Sequence, residues 1–224
     1  MGSFVVAIDG PAASGKGTLA RRLAERFGLA HLDTGKLYRA TAFLVLQNGG
    51  DPADPATATA AANRVQPPLL ADPRLLGEPV ANASSLVAAV PAVRAALLAF
   101  QRHFAARPPD GARGAVLDGR DIGTAVCPDA AVKLFVTASP EARAERRLRE
   151  LRQRGVAAIY EDVLQDMKER DARDSSRRVA PLAAAPDAIT LDTTGLDADE
   201  VFELASDIIA RALADRQPVS DKGG

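Results

Sequence analysis

Cysteine and histidine are scarce in this chain, and each scarcity removes a class of function. Cys127 is the only cysteine, so no disulfide can close within the chain. The two histidines, His31 and His103, stand far apart and lack the spacing of a zinc site. His31, beside Leu32, reads as a partly buried strand residue, and His103 as a helix-surface one. Neither sign of charge dominates: 28 Lys and Arg face 29 Asp and Glu, a net charge of -1. No global field therefore draws nucleic acid or an anionic membrane, and any phosphate binding must be local. Long apolar runs are missing too, as is an N-terminal segment joining basic residues to an apolar core, so the expected compartment is a reducing cytoplasm. Nothing repeats at a fixed period.

Against these absences stands one dense motif, GPAASGKGT, made of Gly10, Pro11, Ala12, Ala13, Ser14, Gly15, Lys16, Gly17 and Thr18. Before it, Phe4, Val5, Val6, Ala7 and Ile8 have the length and β-branching of a buried strand; after it, Leu19, Leu23 and Phe27 recur at helical spacing. Strand, glycine-rich turn, lysine and helix make a phosphate cradle. Small residues let backbone N–H groups point at phosphate oxygens, the first helical turn adds partial positive charge, and Lys16 adds a full one. Gly17 stands where Ser or Thr normally reaches Mg²⁺, and Thr18 comes one residue late. The same residues also fit a dinucleotide fingerprint through Gly15, Gly17 and Ala20, with Asp33 beyond. That motif closes its turn directly after the strand, whereas here Gly10 to Ser14 intervene and Lys16 would be idle.

At 224 residues the chain is long enough for a good core and is read as one domain, residues 1–224. Short apolar runs at Phe4–Ile8, Ala30–Leu32, Ala115–Leu117, Val132–Val136 and Ala188–Leu191 alternate with amphipathic segments. This pattern predicts an α/β fold with a parallel five-stranded sheet covered by helices on both faces. Helices are expected over Gly17–Phe27, Gly35–Asn48, Ser85–Arg107, Pro140–Arg154, Tyr160 to about Asp174, and Asp199–Asp215, with Ser139 capping the fourth. The proline-dense stretch Val65–Ala81 keeps neither period and marks an insertion, taken as residues 64–93. The Asn82-Ala83-Ser84 sequon reads as a helix entrance, and residues 217–224 as a disordered tail.

Residues for an acceptor follow the later strands. Asp33-Thr34-Gly35 opens a helix carrying Tyr38 and Arg39; Thr34 is either its cap or a phosphate contact. Asp118-Gly119-Arg120-Asp121-Ile122-Gly123 follows the third strand, and strand C-terminal ends are where ligands bind in such sheets. In KERDARDSSRR, Arg170, Arg173 and Arg177 share one face if helical, with Asp171 and Asp174 between. Taken alone, this segment and Arg143–Arg154 both read as solvated, salt-bridged helix. Its place before VAPLAAAP favours a mobile lid, residues 155–182. Like charges ~4 Å apart repel by ~4 kcal/mol at an effective dielectric of 20, so joining two phosphate chains takes several cations.

Together GPAASGKGT, LDTGKLYRA, VANASSLVAAVPAVR, LDGRDIGT, KERDARD and RRVAPL resemble the bacterial cytidylate kinases, of the nucleoside monophosphate kinase group of P-loop proteins. The resemblance runs in order from residue 10 to about residue 182. It implies a P-loop kinase fold with an acceptor-binding insertion and a lid. It also implies transfer of the γ-phosphoryl group of ATP to CMP or dCMP, with Mg²⁺ bridging the donor phosphates. By the same resemblance Lys16 and its loop hold the donor phosphates, while Thr34, Arg39 and Arg120 lie near the acceptor phosphate. Ser85, Arg94 and Asp121 would face cytosine, Arg170 and Asp174 the pentose, and Arg177 the phosphates. A carboxylate accepts from the cytosine amine, where uracil carries an oxygen, so Asp121 would discriminate. Catalysis would fall to Lys16, Arg120, Arg170 and Arg177, with Asp33 and Asp118 as outer-shell partners of the metal. The expected partners are ATP and CMP or dCMP, with no nucleic acid and no membrane, and the chain is expected to work as a monomer. A different small-molecule P-loop kinase and a nucleotide-dependent switch are the alternatives, although no Asn-Lys-x-Asp guanine motif appears.

Overall fold

The five apolar runs all become strands: β1 (Phe4–Asp9), β2 (Ala30–Asp33), β3 (Gly114–Gly119), β4 (Val132–Thr137) and β5 (Ile189–Asp192). In the computed structural model, which describes residues 3–216, they lie parallel in the order β2-β3-β1-β4-β5. Parallel strands need crossovers, and helices supply them: α1 (Lys16–Phe27), α2 (Gly35–Gln47), α3 (Pro55–Ala62), α4 (Glu78–Val87), α5 (Pro91–Ala106), α6 (Pro140–Gln153), α7 (Tyr160–Ser175) and α8 (Ala198–Ala214). Val6, Ile8, Val116, Leu134 and Val136 meet Leu19 and Leu23 of α1 and Val201, Ala205 and Ile209 of α8. On the opposite face Ala7, Leu32, Ala115 and Leu117 meet Ala105, Phe100 and Phe104 of α5. Full burial of each large side chain in these layers contributes roughly 1.5–3 kcal/mol.

Two smaller layers flank the strand ends. Leu37, Tyr38 and Ala42 of α2 pack with Ala58 of α3, Val80 and Val87 of α4 and Val93 and Leu97 of α5. The pair α6 and α7 closes through Ala144, Leu148, Leu151, Val163 and Met167. No single helix among the described residues is long and apolar enough to cross a membrane.

Several expectations are corrected. The helix expected over Ser85–Arg107 is two helices, broken at Ala88–Val90, with Pro91 as the first residue of α5. Asn82-Ala83-Ser84 lies inside α4 rather than at its entrance. Helix α3 was not expected; Asp54 caps it by accepting from Thr57 N at 2.7 Å, and Pro55 opens it. The proline-dense segment forms two short 3₁₀ turns, Pro67–Ala71 and Pro73–Leu76, and no strand. Strand β5, expected over Ala188–Leu191, runs Ile189–Asp192 and is mostly exposed at the sheet's edge. Ser139 does cap α6, accepting from Ala142 N at 3.2 Å. The tail expected over residues 217–224 lies outside the described residues.

Candidate active site

The cradle is built by backbone that few side chains tolerate. Gly10 has φ 152° and Gly15 φ 90°, and Ala13 sits in the left-handed region at φ 56°. A Cβ at Gly10 would stand 2.0 Å from the Val136 carbonyl oxygen, which makes glycine obligatory there. Turns of alternating handedness present successive N–H groups to an anion, at the N-terminus of α1. Inside the cradle Ser14 Oγ is buried without a hydrogen-bond partner among the described residues. Lys16 is also buried, its Nζ donating to the Pro11 carbonyl at 3.1 Å. Thr18 is exposed at the rim.

Burial pulls the Lys16 amine down to about 7, with Arg120 and Arg170 adding to the fall and Asp118 and Asp33 opposing it. A triphosphate placed against Nζ restores the charge by raising that value. Binding of ATP near pH 7.5 is therefore expected to take up a fraction of a proton. Calorimetric titration in buffers of different ionisation enthalpy reads this directly. Proton release, or no buffer dependence, would place the amine elsewhere.

Beyond the lysine the C-terminal ends of β2 and β3 bring two carboxylates together. Asp118 lies close over Gly17, where a Cβ would be 3.6 Å from Asp118 Oδ2, and its Oδ1 is 2.8 Å from His31 Nε2. Asp33 is pushed above the usual carboxylate range by burial and by the neighbouring Asp118, with Lys16, Arg39 and His31 opposing. Two crowded carboxylates beside a phosphate cradle suit a hard cation such as Mg²⁺. Among the described residues no group of three or more His, Cys, Asp or Glu side chains can hold a metal alone. Such an ion would have to arrive with phosphate, and Asp33 and Asp118 could then hold it through water.

Thr34 occupies the residue before α2 but does not cap it with its side chain; its Oγ1 donates instead to the Asp118 carbonyl at 2.8 Å. That hydrogen bond ties β2 to β3 at the site and leaves the cap alternative aside. Arg39 reaches from α2 to the Leu75 carbonyl at 3.1 Å. Arg94 and Asp121 form a buried ion pair, with the Tyr38 ring 5.3 Å from the guanidinium. The Ser85 hydroxyl is buried and donates to the Asn82 carbonyl at 3.0 Å.

The expected lid face is half right. Val163, Met167, Arg170 and Asp174 form the inward face of α7, while Arg173 points to solvent, and Arg177 lies past the helix end. Asp174 gathers the cations: Arg120 Nε donates to it at 3.0 Å, and Arg177 pairs with it as well. Burial would raise the Asp174 carboxyl, but Arg120, Arg177 and Arg170 hold it below the usual carboxylate range. Arg170 is pulled down to about 9, first by burial and then by Arg120. Its Nε, like that of Arg177, is buried with no partner among the described residues.

The run Arg143–Arg154 is not uniformly solvated, which corrects the expectation for α6. Arg143 is buried; its Nε donates to the Ala138 carbonyl at 3.0 Å, Nη1 to the Ala12 carbonyl of the cradle at 3.3 Å, and Nη2 pairs with Asp171 of α7 at 2.7 Å. Arg147 pairs with Glu78 and Glu150 and adds its charge near Arg39 and Arg170. Both were missed as site residues. Their signal was the adjacent stripe Ala144, Leu148 and Leu151, which marks the buried side of α6. Burial pushes the Cys127 thiol up to about 11, so it is protonated at neutral pH.

A family model described as cytidylate kinase matches residues 6–211. A cytidylate kinase of Rhodospirillum rubrum is 58% identical over 92% of this chain and 97% of its own length. One from Paramagnetospirillum magneticum is 60% identical over 92% of this chain and 98% of its own. Among solved structures, an uncharacterized protein from Eubacterium ventriosum matches with a TM-score of 0.50 at 14% identity, covering 95% of this chain and 99% of that one, a likeness of fold alone.

Proposed function

The chain belongs to the cytidylate kinase family, and from that premise we propose that it carries the γ-phosphoryl group of ATP to CMP or dCMP, using the cluster around Lys16, Arg120, Arg170 and Arg177. Its fold is that of a P-loop kinase and its reaction class is ATP-dependent phosphotransfer. The observation that carries the site assignment is the surplus of buried cation. Arg120, Arg170 and Arg177 converge on a single carboxylate, Asp174, and two of the three keep an unpartnered Nε. Three cations against one carboxylate leave positive charge that an entering anion would offset.

The donor phosphates lie in the loop from Gly10 to Thr18 against Lys16. Asp33 and Asp118 would hold, through its water, a magnesium ion arriving with the donor, which would supply further charge neutralisation there. Thr34, Arg39 and Arg120 take the acceptor phosphate. Its attacking oxygen is already ionised at neutral pH, so no side chain need act as general base. Catalysis then consists of in-line positioning and of charge stabilisation by Lys16 and the three arginines. Water competes as nucleophile, and closure of residues 155–182 over both substrates keeps it out. Residues 64–93 close on the acceptor, with Ser85, Arg94 and Asp121 facing cytosine.

ADP formation from Mg·ATP with CMP, dCMP, UMP, AMP, shikimate or no acceptor tests this reading. Turnover confined to CMP and dCMP is expected; equal rates with UMP would remove Asp121 from base recognition, and acceptor-independent hydrolysis would indicate a switch. In the same assay Arg177→Ala should lower kcat by ~10²-fold or more. Its loss leaves Asp174 still paired with Arg120, so thermal stability should change little. Unchanged turnover would exclude Arg177 from the mechanism.

A further inference from the structure

The last carboxylate of β1 has no part in the chemistry above. Asp9 is 4% exposed and is registered against Gly119 on one side and Phe135 on the other, so the sheet encloses it. Along β1, Phe4, Val6 and Ile8 face α1 and α8, while Ala7 faces the opposite layer with Leu117, Ile122 and Val126. Alternation places the Asp9 side chain on the Ala7 side, in surroundings that offer a charge little. Burial accordingly pushes the carboxyl up to about 6, with Asp121 adding to the rise and Lys16 opposing it.

What Asp9 does have is two backbone donors. Ile122 N donates to its Oδ1 and Gly123 N to its Oδ2, each at 2.7 Å. These N–H groups open the π-helical turn Ile122–Val126, whose first donors have no earlier turn to bond to. Asp9 is thus a cap supplied from another strand. Asp121 immediately precedes the capped pair, its carbonyl accepting from Ala125 N at 2.9 Å and Val126 N at 3.2 Å, and its carboxylate holding Arg94. On the other side Asp9 leads directly into Gly10, which the Val136 carbonyl confines.

We propose that Asp9 is a positioning residue that fixes Asp121 for reading the acceptor base, tying the base-reading turn to the strand that opens the donor cradle. This rests on the cytidylate kinase reading, because it gives Asp121 a base to read. Asp9 acts through the Ile122 and Gly123 peptides and touches neither substrate. A shift of these two peptides moves Asp121 sideways while the cradle, pinned at Gly10, stays in place.

Asp9→Asn keeps the shape and one acceptor oxygen but turns an NH₂ group toward the second N–H. The expected result is a rise of about tenfold in KM for CMP and a similar fall in the preference for CMP over UMP, with KM for ATP within about twofold. Gly123→Ala disturbs the same contact from the other side, since its Cβ would meet Asp9 Oδ2 at 3.4 Å and Lys133 Cδ at 3.2 Å. It should shift CMP in the same direction, and it decides the matter should Asp9→Asn not fold. Equal losses on ATP and CMP with an unchanged CMP to UMP ratio would mean a merely structural carboxylate and overturn the proposal, as would unchanged constants in both variants. Wild-type enzyme assayed alongside separates the two failures: absence of CMP turnover there removes the cytidylate kinase reading, and this proposal with it.

Discussion

Lys16→Met should lower kcat/KM for phosphoryl transfer by ~10³-fold while leaving the fold intact. The amine is buried, and its nearest polar partner is the Pro11 carbonyl. Burial and the Arg120 charge already depress its ionisation, so the folded enzyme holds it at a cost that methionine does not incur. An apolar side chain of similar length removes that desolvation cost, and the melting temperature should hold or rise slightly. Turnover depends on that charge because the transferred phosphoryl group carries negative charge on its oxygens throughout the reaction. A coupled ADP-release assay beside a thermal melt measures both. A loss below about tenfold would sink the placement of the donor phosphates at Lys16.

The second large effect is expected at Asp121, and it is one of stability as well as of activity. Arg94 and Asp121 are buried against each other, and among the described residues the guanidinium's other close contacts are the Ala88 carbonyl, at 3.2 Å, and the Tyr38 ring. Asp121→Ala strands a buried cation, which costs about 3–5 kcal/mol. For a chain of this size that is a fall of about 10 °C in Tm. The double variant Arg94→Met, Asp121→Leu removes both charges and should recover most of the stability. CMP turnover should stay lost in both, because the groups facing cytosine are gone. If the double variant recovered turnover along with stability, the pair would be only a structural tie.

Much of this was legible because the strands are short apolar runs and the cradle is a contiguous motif. All five strands and the cradle follow from residues close in sequence. Helix α3 escaped because PATATAAA has no apolar period, its helix being fixed by the Asp54 cap and Pro55. The opposite error merged α4 with α5: apolar residues continue across the break, and only Pro91 marks a new start. In the site the difficulty was partner choice. Arg143 and Arg149 are alike on paper, yet one is buried against the Ala12 carbonyl and the other is exposed. Thr34 offered a standard helix cap, but the nearby Asp118 carbonyl captured its hydroxyl. Those outcomes depend on which chain segments approach, a property of the sheet order rather than of any local run. The family assignment was readable because it draws on motifs spread along the chain.

Asp174 has a consequence for ionic strength. Without phosphate, Arg120 and Arg177 already share the Asp174 carboxylate, which offsets one of their two charges in a place largely shielded from dissolved ions. Arrival of the acceptor is then an exchange of one counter-anion for another, and few bulk anions are released. The acceptor's dissociation constant should therefore depend on salt less steeply than a count of nearby arginines suggests.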